Sequence, residues 1–239
     1  MKLNTTHRSI EIEIMDDFQL EGEELKDSLD KIAKINQLLG GNKVTLEGIE
    51  KLLNKSSKNQ TITIVDIGCG NGDMLRALAN FGIKNNYNLK LIGIDANQFT
   101  VDYAKSLSKN YENITYQCEN VFDENFKIVA HDIVLFTLTL HHFTDEEIYK
   151  LLTVFHTNAK IGIIINDLHR SKLAYRLFQL ICFVFQLNQL SKTDGLISIL
   201  RGFKKEELVR YSKKMKFENY FIQWKWAFRY QWIIRSTKF

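Results

Sequence analysis

The sequence predicts an α/β protein with a mostly parallel sheet and helices on both faces. Five short runs rich in β-branched residues follow one another between residues 62 and 167: ITIVDIG, LKLIGID, ITYQCEN, HDIVLFTLTL and KIGIIIND. Helix-like stretches separate them at residues 73–82, 97–109 and 144–157. Strands that alternate with helices are typical of parallel pairing. The fourth run is continuously apolar from Ile133 to Leu140, as in strands that are buried on both faces.

Residues 9–53 have a helical pattern. LKDSLDKIAKINQLL places apolar side chains at three- and four-residue spacing, and Gly40 and Gly41 then end the helix as a C-cap would. TLEGIEKLL predicts a second, short helix with Thr45 as its N-cap. A polar break, NKSSKNQT, follows at residues 54–61. We therefore expect residues 1–54 to form an N-terminal helical cap on an α/β core at residues 55–170.

The chain beyond the core predicts two further parts of a single domain, residues 1–239. LAYRLFQLICFVFQL, at 173–187, is an apolar helix that is too short to span a bilayer. We interpret residues 171–200 as an insert that caps an apolar substrate pocket; core packing and peripheral contact with a membrane surface are the less favoured alternatives. Residues 201–239 predict an amphipathic helix and a pair of strands, which would bring the sheet to seven strands.

Composition excludes several classes of protein. The net charge of +4 comes from 32 basic and 28 acidic residues, which are mixed along the chain, so nucleic acid is not an expected partner. The cysteines Cys69, Cys118 and Cys182 form no C-x-x-C pair, which argues against a disulfide framework and against a zinc site. We expect reduced thiols in the cytoplasm, no signal peptide, no transmembrane segment and no metal. The oligomeric state stays open.

A glycine turn follows the first predicted strand in the stretch VDIGCGNG. A dinucleotide site requires G-x-G-x-x-G, but Asp73 stands at the position of the last glycine, and Asp66 precedes the turn. Two carboxylates would repel a pyrophosphate. No Gly-Lys-Ser/Thr follows, which excludes a P-loop. Gly68, Gly70 and Gly72 therefore predict close backbone approach to a ligand that is neutral or positive near the turn.

The next two strand ends carry groups that suit a nucleoside. Asp95 ends the second strand, where an acid can accept hydrogen bonds from both ribose hydroxyls. Glu119 and Asn120 end the third strand, where either side chain could accept from an adenine amino group. A glycine turn, a ribose acid and an adenine acceptor together describe an adenosine with a cationic, phosphate-free tail. S-adenosylmethionine is such a molecule.

The motifs VDIGCGNG, GIDAN and HDIVLFTLTLHHF resemble those of class I S-adenosylmethionine-dependent methyltransferases of the ubiquinone-biosynthesis-like, small-molecule branch. The resemblance covers residues 60–170 and implies a Rossmann-like, seven-stranded fold with S-adenosylhomocysteine as the product. It implies that Asp66 contacts the methionine end of the cofactor through water and that Asp95 holds the ribose. It also implies that Thr137 closes the near side of the cofactor site. The residues implied along the methionine end and around the adenine are Gly68, Cys69, Gly70, Asn71, Ala96, Asn120 and Val121. Because the family often has Asp at the position of Asn120, Glu119 is the alternative there.

Three histidines are candidate general bases, since imidazole titrates near neutral pH. His141 and His142 follow the fourth strand, at the sheet edge where open α/β sheets bind ligands. His169 ends the fifth strand, and Asp167 could orient it or serve as a carboxylate base. The alternative for the His141–His142 pair is that it only shapes the turn. The alternative for His169 is a structural polar contact.

The function predicted from these motifs is methyl transfer to a small molecule. MDDFQLEGEELKDSLDKIAKINQLLGG, NDLHRSKLAYRLFQL and DGLISILRGFKKEEL resemble a bacterial subgroup encoded beside polyketide or aryl-polyene pathways of secondary metabolism. That resemblance implies an aromatic or polyketide-like substrate and favours O-methylation. The alternatives are a nucleic-acid or protein methyltransferase and a non-catalytic S-adenosylmethionine-binding protein. The mild charge, the apolar insert and the absence of an N/D-P-P-Y/F-type motif argue against a nucleic-acid substrate.

Overall fold

A computed structural model describes residues 3–54, 57–58, 60–128 and 130–237. In this part of the chain the strands form one seven-stranded sheet in the order β3-β2-β1-β4-β5-β7-β6. The sheet is parallel except for β7, which lies antiparallel between β5 and β6. This architecture confirms the predicted fold class. The strands are β1 (Thr61–Ile67), β2 (Asn88–Asp95), β3 (Ile114–Cys118), β4 (Ile133–Thr137), β5 (Gly162–Leu168), β6 (Tyr220–Lys225) and β7 (Arg229–Arg235).

Helices cover both faces of the sheet. Side chains alternate along β1, so that Ile62 and Ile64 pack in the apolar cluster with α2 and α3, whereas Val65 and Ile67 pack in the cluster with α5. Burial on both faces explains the continuous apolar run of residues 133–136 in β4. The helices are α1 (Glu23–Leu38), α2 (Gly41–Leu53), α3 (Asp73–Asn85), α4 (Gln98–Leu107), α5 (Asp145–Asn158), α6 (Lys172–Val184), α7 (Gln189–Arg201) and α8 (Lys205–Lys214).

The prediction of a helix from residue 9 is wrong for the first part of that segment. The helix begins at Glu23, and among the described residues before it, 3–22, the one helical element is a 3-10 turn, Ile14–Asp16. The Asp194 carboxylate of α7 accepts hydrogen bonds of 2.8 Å from the backbone N–H groups of Ile14 and Met15. The backbone N–H groups of Ile14 and Met15 therefore donate to α7 and not to carbonyls of a local helix.

The boundary between α1 and α2 also differs from the prediction. Thr45 is not an N-cap, because α2 already begins at Gly41, after Gly40 in the left-handed region at φ +76°. Gly41 is required, since a Cβ there would lie 1.8 Å from the Asn36 side-chain oxygen. Thr45 is instead fully buried in α2, where its hydroxyl accepts a hydrogen bond of 3.0 Å from the Asn166 side chain.

The fourth strand is shorter than its apolar run. β4 ends at Thr137, and Leu138 adopts a left-handed conformation at φ +55°. The chain then forms a 3-10 helix, Leu140–His142, before α5 begins. This reversal carries the two adjacent histidines past the end of the sheet. Among the helices of the described ranges, none has the length and apolar character needed to cross a bilayer.

Candidate functional site

A cavity of about 1250 Å³ lies at the carboxyl ends of β1, β2, β4 and β5. Its cover is made by residues 8–18 and helices α1, α6 and α7. Most residues that the sequence predicted for the site line this cavity, whereas Gly72 and Asp167 are not part of its lining. The candidate cofactor-binding and catalytic residues that line it are Asp66, Gly68, Cys69, Gly70, Asn71, Asp95, Ala96, Asn120, Val121, Thr137, His141, His142 and His169.

The glycine turn brings the backbone to the cavity in a conformation that favours glycine. Gly68, Gly70 and Gly72 have φ values of +67°, +52° and +77°. A Cβ at Gly68 would lie 2.4 Å from a carbon of Thr139, and one at Gly72 would lie 2.0 Å from the Tyr116 hydroxyl. Only the position of Gly70 has open space around it. The spacing of the three glycines is therefore a requirement of the turn itself.

Asp66 is a buried carboxyl group with an unsatisfied oxygen. It is 1% exposed, and its Oδ1 has no hydrogen-bond partner among the described residues. Burial raises the pKa of this carboxyl well above its usual value, and the nearby charges of Asp73 and Asp95 raise it further. A cationic ligand would compensate both effects. The sulfonium and ammonium groups of S-adenosylmethionine fit this requirement.

Asp95 is held rigidly at the end of β2. Its Oδ2 accepts a hydrogen bond of 3.0 Å from the Gly70 N–H, and its Oδ1 accepts one of 3.1 Å from the Asn97 N–H. Burial raises the pKa of Asp95, whereas these two hydrogen bonds oppose that increase. The carboxylate therefore links the glycine turn to the second strand end, and each oxygen keeps a lone pair for a ligand.

At the adenine end of the predicted site, Glu119 and Asn120 are the two alternative acceptors for the amino group. Glu119 and Asn120 both line the cavity. The Asn120 side-chain oxygen accepts a hydrogen bond of 3.0 Å from the Phe122 N–H, which fixes the orientation of the amide. The second lone pair of that oxygen is available to an amino group.

Helix α1 is fastened to the glycine turn by a residue that the sequence did not single out. The Asp30 carboxylate accepts hydrogen bonds of 3.1 Å from the Asn71 side chain and 2.6 Å from the Tyr103 hydroxyl. The segment before α1 is connected to the loop after β2, because the Asn97 side chain donates a 2.7 Å hydrogen bond to the Leu20 carbonyl. Sequence spacing carries no signal for contacts between segments so far apart.

The 3-10 turn after β4 places His141 against a buried acid. The His141 side chain is 2% exposed, and its Nδ1 lies 2.7 Å from Asp167 Oδ1, while its backbone N–H donates to Asp167 Oδ2 at 3.1 Å. Burial alone would raise the pKa of Asp167, but the charge and hydrogen bond of His141 hold it below its usual value. The expectation that Asp167 orients His169 is therefore wrong, since its partner is His141.

Two acids from the N-terminal segment complete this cluster. Asp16 Oδ1 lies 2.7 Å from His142 Nδ1. Glu13 is 4% exposed, and its Oε1 lies 3.6 Å from His141 Nε2 and 3.7 Å from His142 Nδ1. Burial raises the pKa of Glu13 to about 7, although His142 and the Ser198 hydroxyl oppose the increase. The alternation I-E-I-E-I at 10–14 is a strand-like signal that could have excluded a helix here.

Two arginines hold the histidine turn through its carbonyls. Arg201 Nε donates a 3.0 Å hydrogen bond to the His141 carbonyl, and another of its nitrogens donates to the His142 carbonyl. Arg8 donates to the carbonyls of His141 and Phe143 at 2.9 and 2.7 Å. These contacts fix the position of both imidazole rings relative to the cover.

His169 lies apart from that cluster in an aromatic environment. Its Nδ1 accepts a 3.2 Å hydrogen bond from Trp224 Nε1, and its ring stacks on Phe228 with 6.3 Å between centroids. Burial, together with the charges of Lys204 and Arg170, lowers the pKa of His169. The neutral ring therefore carries its proton on Nε2, which makes that nitrogen a hydrogen-bond donor.

Helix α6 contributes an apolar wall. Leu177, Phe178 and Ile181 line the cavity, whereas Phe183 and Val184 at the end of the helix are 81% and 64% exposed. The β6–β7 hairpin adds Trp226 to the cavity lining. The cavity thus combines a polar part at the glycine turn with an apolar part under α6.

Comparison with known proteins adds a family and a fold. Residues 64–162, fewer than half of the chain, match a family described as "Methyltransferase domain". None of the curated protein sequences compared with the chain matches it.

Several solved structures share the fold along most of the chain. The plantazolicin methyltransferase BpumL in complex with SAH is 17% identical, with a TM-score of 0.63 over 89% of this chain and 96% of that one. The plantazolicin methyltransferase BamL, with a triazolic desmethylPZN analog and SAH, is 13% identical, with a TM-score of 0.65 over 90% and 97%. Human N-acetylserotonin methyltransferase with SAM is 14% identical, with a TM-score of 0.63 over 90% and 56%. At these identities the likeness shows the fold.

Proposed function

We propose that the chain is a class I S-adenosylmethionine-dependent methyltransferase that methylates an oxygen atom of a small aromatic or polyketide-like molecule; the match to a methyltransferase domain and the shared fold support this proposal. One observation carries this proposal. A single cavity contains the glycine turn, the apolar wall of α6 and a buried histidine whose free nitrogen has no hydrogen-bond partner among the described residues. Its volume of about 1250 Å³ exceeds the ~300–1,000 Å³ of usual ligand pockets, so cofactor and acceptor have room together.

The polar part of the cavity would hold the cofactor. Asp66 supplies a buried carboxyl group at the turn, whose ionised form a cationic ligand would stabilise, and Asp95 supplies a fixed acceptor for the ribose hydroxyls. Ala96 and Val121 would flank the adenine, and Asn120 or Glu119 would accept from its amino group. S-adenosylmethionine supplies a methyl group that its sulfonium already makes electrophilic. The protein therefore needs to align the acceptor, exclude water and manage a proton.

The apolar part would hold the acceptor. Leu177, Phe178 and Ile181 exclude water, and the Nε2–H of His169 can donate a hydrogen bond to a polar group of the substrate. Alignment of two bound reactants contributes roughly 7–11 kcal/mol to the lowering of a barrier. The names of the similar structures support a small molecule, since they include a methyltransferase of N-acetylserotonin and enzymes studied with desmethylPZN analogs.

The histidine cluster would remove the proton of an acceptor hydroxyl. Because the Nδ1–H of His141 donates to Asp167, the neutral ring keeps a lone pair on Nε2, which is the form that accepts a proton. A positioned base contributes about 10²–10⁴ to a rate. His142, whose Nδ1 is held by Asp16, is the second candidate in the same cluster. His169 is less suited to this role, since Trp224 occupies its Nδ1.

The test is transfer from methyl-labelled S-adenosylmethionine to an extract of the host cell. We expect the label in the organic-soluble, low-mass fraction with the natural chain and none with Asp95→Ala. Label in RNA or protein would overturn the substrate class and leave the cofactor assignment in place. Cofactor binding without any labelled fraction, across extracts from several growth phases, would support the non-catalytic alternative.

A further inference from the structure

We propose that Glu13, His141 and His142 form a binding site for a divalent transition-metal ion with the preferences of Zn²⁺. One ligand atom from each of the three side chains lies within 4.8 Å of the others. Two imidazole nitrogens and one carboxylate oxygen are a donor set that zinc takes in sites with one open coordination position. All three residues line the cavity, so that the open position would face bound molecules.

The geometry around His141 favours a cation between its Nε2 and the Glu13 carboxylate. Asp167 accepts the proton of Nδ1, which leaves a lone pair on Nε2 that points toward Glu13 Oε1 at 3.6 Å. Neither of these two atoms has a hydrogen-bond partner among the described residues. Glu13 and His141 are 4% and 2% exposed, so solvent does not satisfy them. Two buried acceptors that face each other are stable only with a cation between them, either a proton or a metal ion.

The carboxylate partner of His141 matches the surroundings of a metal ligand. Histidines that bind a metal almost always donate their other ring N–H to a carboxylate or carbonyl, which fixes the ring and strengthens the ligand. Asp167 holds His141 in this way at 2.7 Å, whereas the His142 nitrogen that lies 3.7 Å from Glu13 is Nδ1, which also lies 2.7 Å from Asp16 Oδ1. The two histidines share the buried Glu13 carboxylate, whose Oε1 lies 3.6 Å from His141 Nε2 and 3.7 Å from His142 Nδ1.

The local charge favours a cation in the gap. Glu13, Asp16 and Asp167 surround the histidines, and Arg201 is the arginine that contacts two of these acids. Its Nε lies 3.9 Å from Glu13 Oε1 and donates instead to the His141 carbonyl. The guanidinium thus holds the backbone of the turn and does not fill the space between Glu13 and His141. The cysteines, from which the sequence predicted no zinc site, take no part in this cluster.

A metal here would act on the acceptor, and this role depends on the proposed function. A hydroxyl bound at the open position has a lowered pKa, so its proton passes to solvent and the oxygen remains as an alkoxide or phenolate. That oxygen then forms the bond to the methyl carbon as the sulfur–carbon bond breaks, and the electron pair of the broken bond stays on sulfur. In the absence of metal, His141 Nε2 is the proton acceptor.

The first experiment is titration of chelator-treated full-length protein with ZnCl₂ by calorimetry, and with CoCl₂ by visible absorption. We expect one metal per chain and the intense bands of a four-coordinate cobalt site. Glu13→Gln and His142→Gln should weaken zinc binding by more than about 10- to 100-fold, the loss that even an outer partner of a ligand causes. Glu11→Gln and His7→Gln are the matched controls, because both side chains are exposed in the same segment. They should bind zinc as the natural chain does.

Two outcomes would overturn the proposal. One is the absence of stoichiometric binding, and the other is binding that the Glu13 and His142 variants leave unchanged. Circular dichroism of each variant confirms folding, and Glu13→Gln retains the shape of the side chain if His142→Gln does not fold. S-adenosylhomocysteine titrated into the same samples separates the two proposals. Cofactor binding without zinc binding overturns only the metal site, whereas zinc binding without cofactor binding overturns only the proposed function.

Discussion

Asp30 in α1 accepts a 3.1 Å hydrogen bond from the side chain of Asn71 in the glycine turn. The same carboxylate accepts from the Tyr103 hydroxyl in α4 at 2.6 Å. The cover of the cavity is therefore bonded directly to the loop that would carry the methionine end of the cofactor. Order in the cover and order in the loop depend on each other.

The first prediction concerns this contact. Asp30→Ala should weaken S-adenosylhomocysteine binding by about fivefold, because a net hydrogen bond at a partly exposed site contributes about 1 kcal/mol. Isothermal titration calorimetry measures the change. Glu23→Ala, an exposed acid in the same helix, is the control. Equal affinities for Asp30→Ala and the natural chain would show that the turn is ordered without α1.

The second prediction concerns Asp66, whose folded-state pKa is raised by burial. The folded protein binds this proton more tightly than the unfolded chain, so the contribution of Asp66 to stability is complete below about pH 4, its usual unfolded pKa. It is lost as the pH rises toward the raised pKa, at a rate of up to about 1.4 kcal/mol per pH unit. Asp66→Asn removes this loss and should be more stable than the natural chain at pH 8.

Cofactor binding should respond to Asp66→Asn in the opposite direction. The ionised carboxylate attracts a cationic ligand, and the amide does not. We therefore expect an affinity for S-adenosylmethionine that rises with pH in the natural chain and is lower, with a smaller pH dependence, in the variant. Urea unfolding and calorimetry at pH 5 and pH 8 give both quantities. A variant that is less stable at pH 8 would contradict the assignment of a raised pKa.

The third prediction separates a clash from backbone strain. Gly70 and Gly72 both have left-handed φ values, so alanine causes strain of about 1–2 kcal/mol at either position. Only at Gly72 does the added methyl meet an atom, the Tyr116 hydroxyl at 2.0 Å, whereas the nearest atom at Gly70 is 3.8 Å away. Gly72→Ala should therefore have the lower Tm in the ligand-free protein. Equal Tm values would mean that Tyr116 moves without cost.

The fourth prediction distinguishes the two parts of the cavity. Asp95→Ala should abolish cofactor binding, because it removes the ribose acceptor and leaves the N–H groups of Gly70 and Asn97 without their partner. His169→Ala should bind the cofactor normally and turn over slowly, since its contacts are with Trp224 and Phe228. Calorimetry with S-adenosylhomocysteine tests binding, and the labelled-methyl assay tests turnover. Undiminished binding by Asp95→Ala would contradict the placement of the ribose.

The elements that were predicted correctly from the sequence are those whose residue types are restricted by local conformation and burial. The runs around Ile64 and Ile133 predicted buried parallel strands, because burial on both faces leaves its own apolar pattern. The glycine turn was predictable for a similar reason, since its left-handed angles restrict residue type directly. The segment before α1 was mispredicted as helical although its I-E-I-E-I alternation has a strand-like period, and its hydrogen-bond partner Asp194 lies 180 positions away in sequence.

The histidine cluster shows what local patterns cannot provide. His142 was a candidate from its place after β4, but Asp16, its 2.7 Å partner, lies 126 residues earlier in the chain. Asp167 was paired in expectation with His169 because they are neighbours in sequence. In β5, however, the side chain of Asp167 points to the turn after β4, where it meets His141. Tertiary contacts decide such pairings.

The bonds between Asp194 and residues 14 and 15 also set an order of assembly. Ile14 and Met15 are synthesised before their partner in α7, which lies about 180 positions later in the chain. Contacts at such separation form slowly, because a long loop must close first. The sheet from β1 to β5 can be synthesised before the segment around Ile14 and Met15 has formed its contacts with α7. The cover of the cavity is therefore complete only after α7 has met the segment around Ile14.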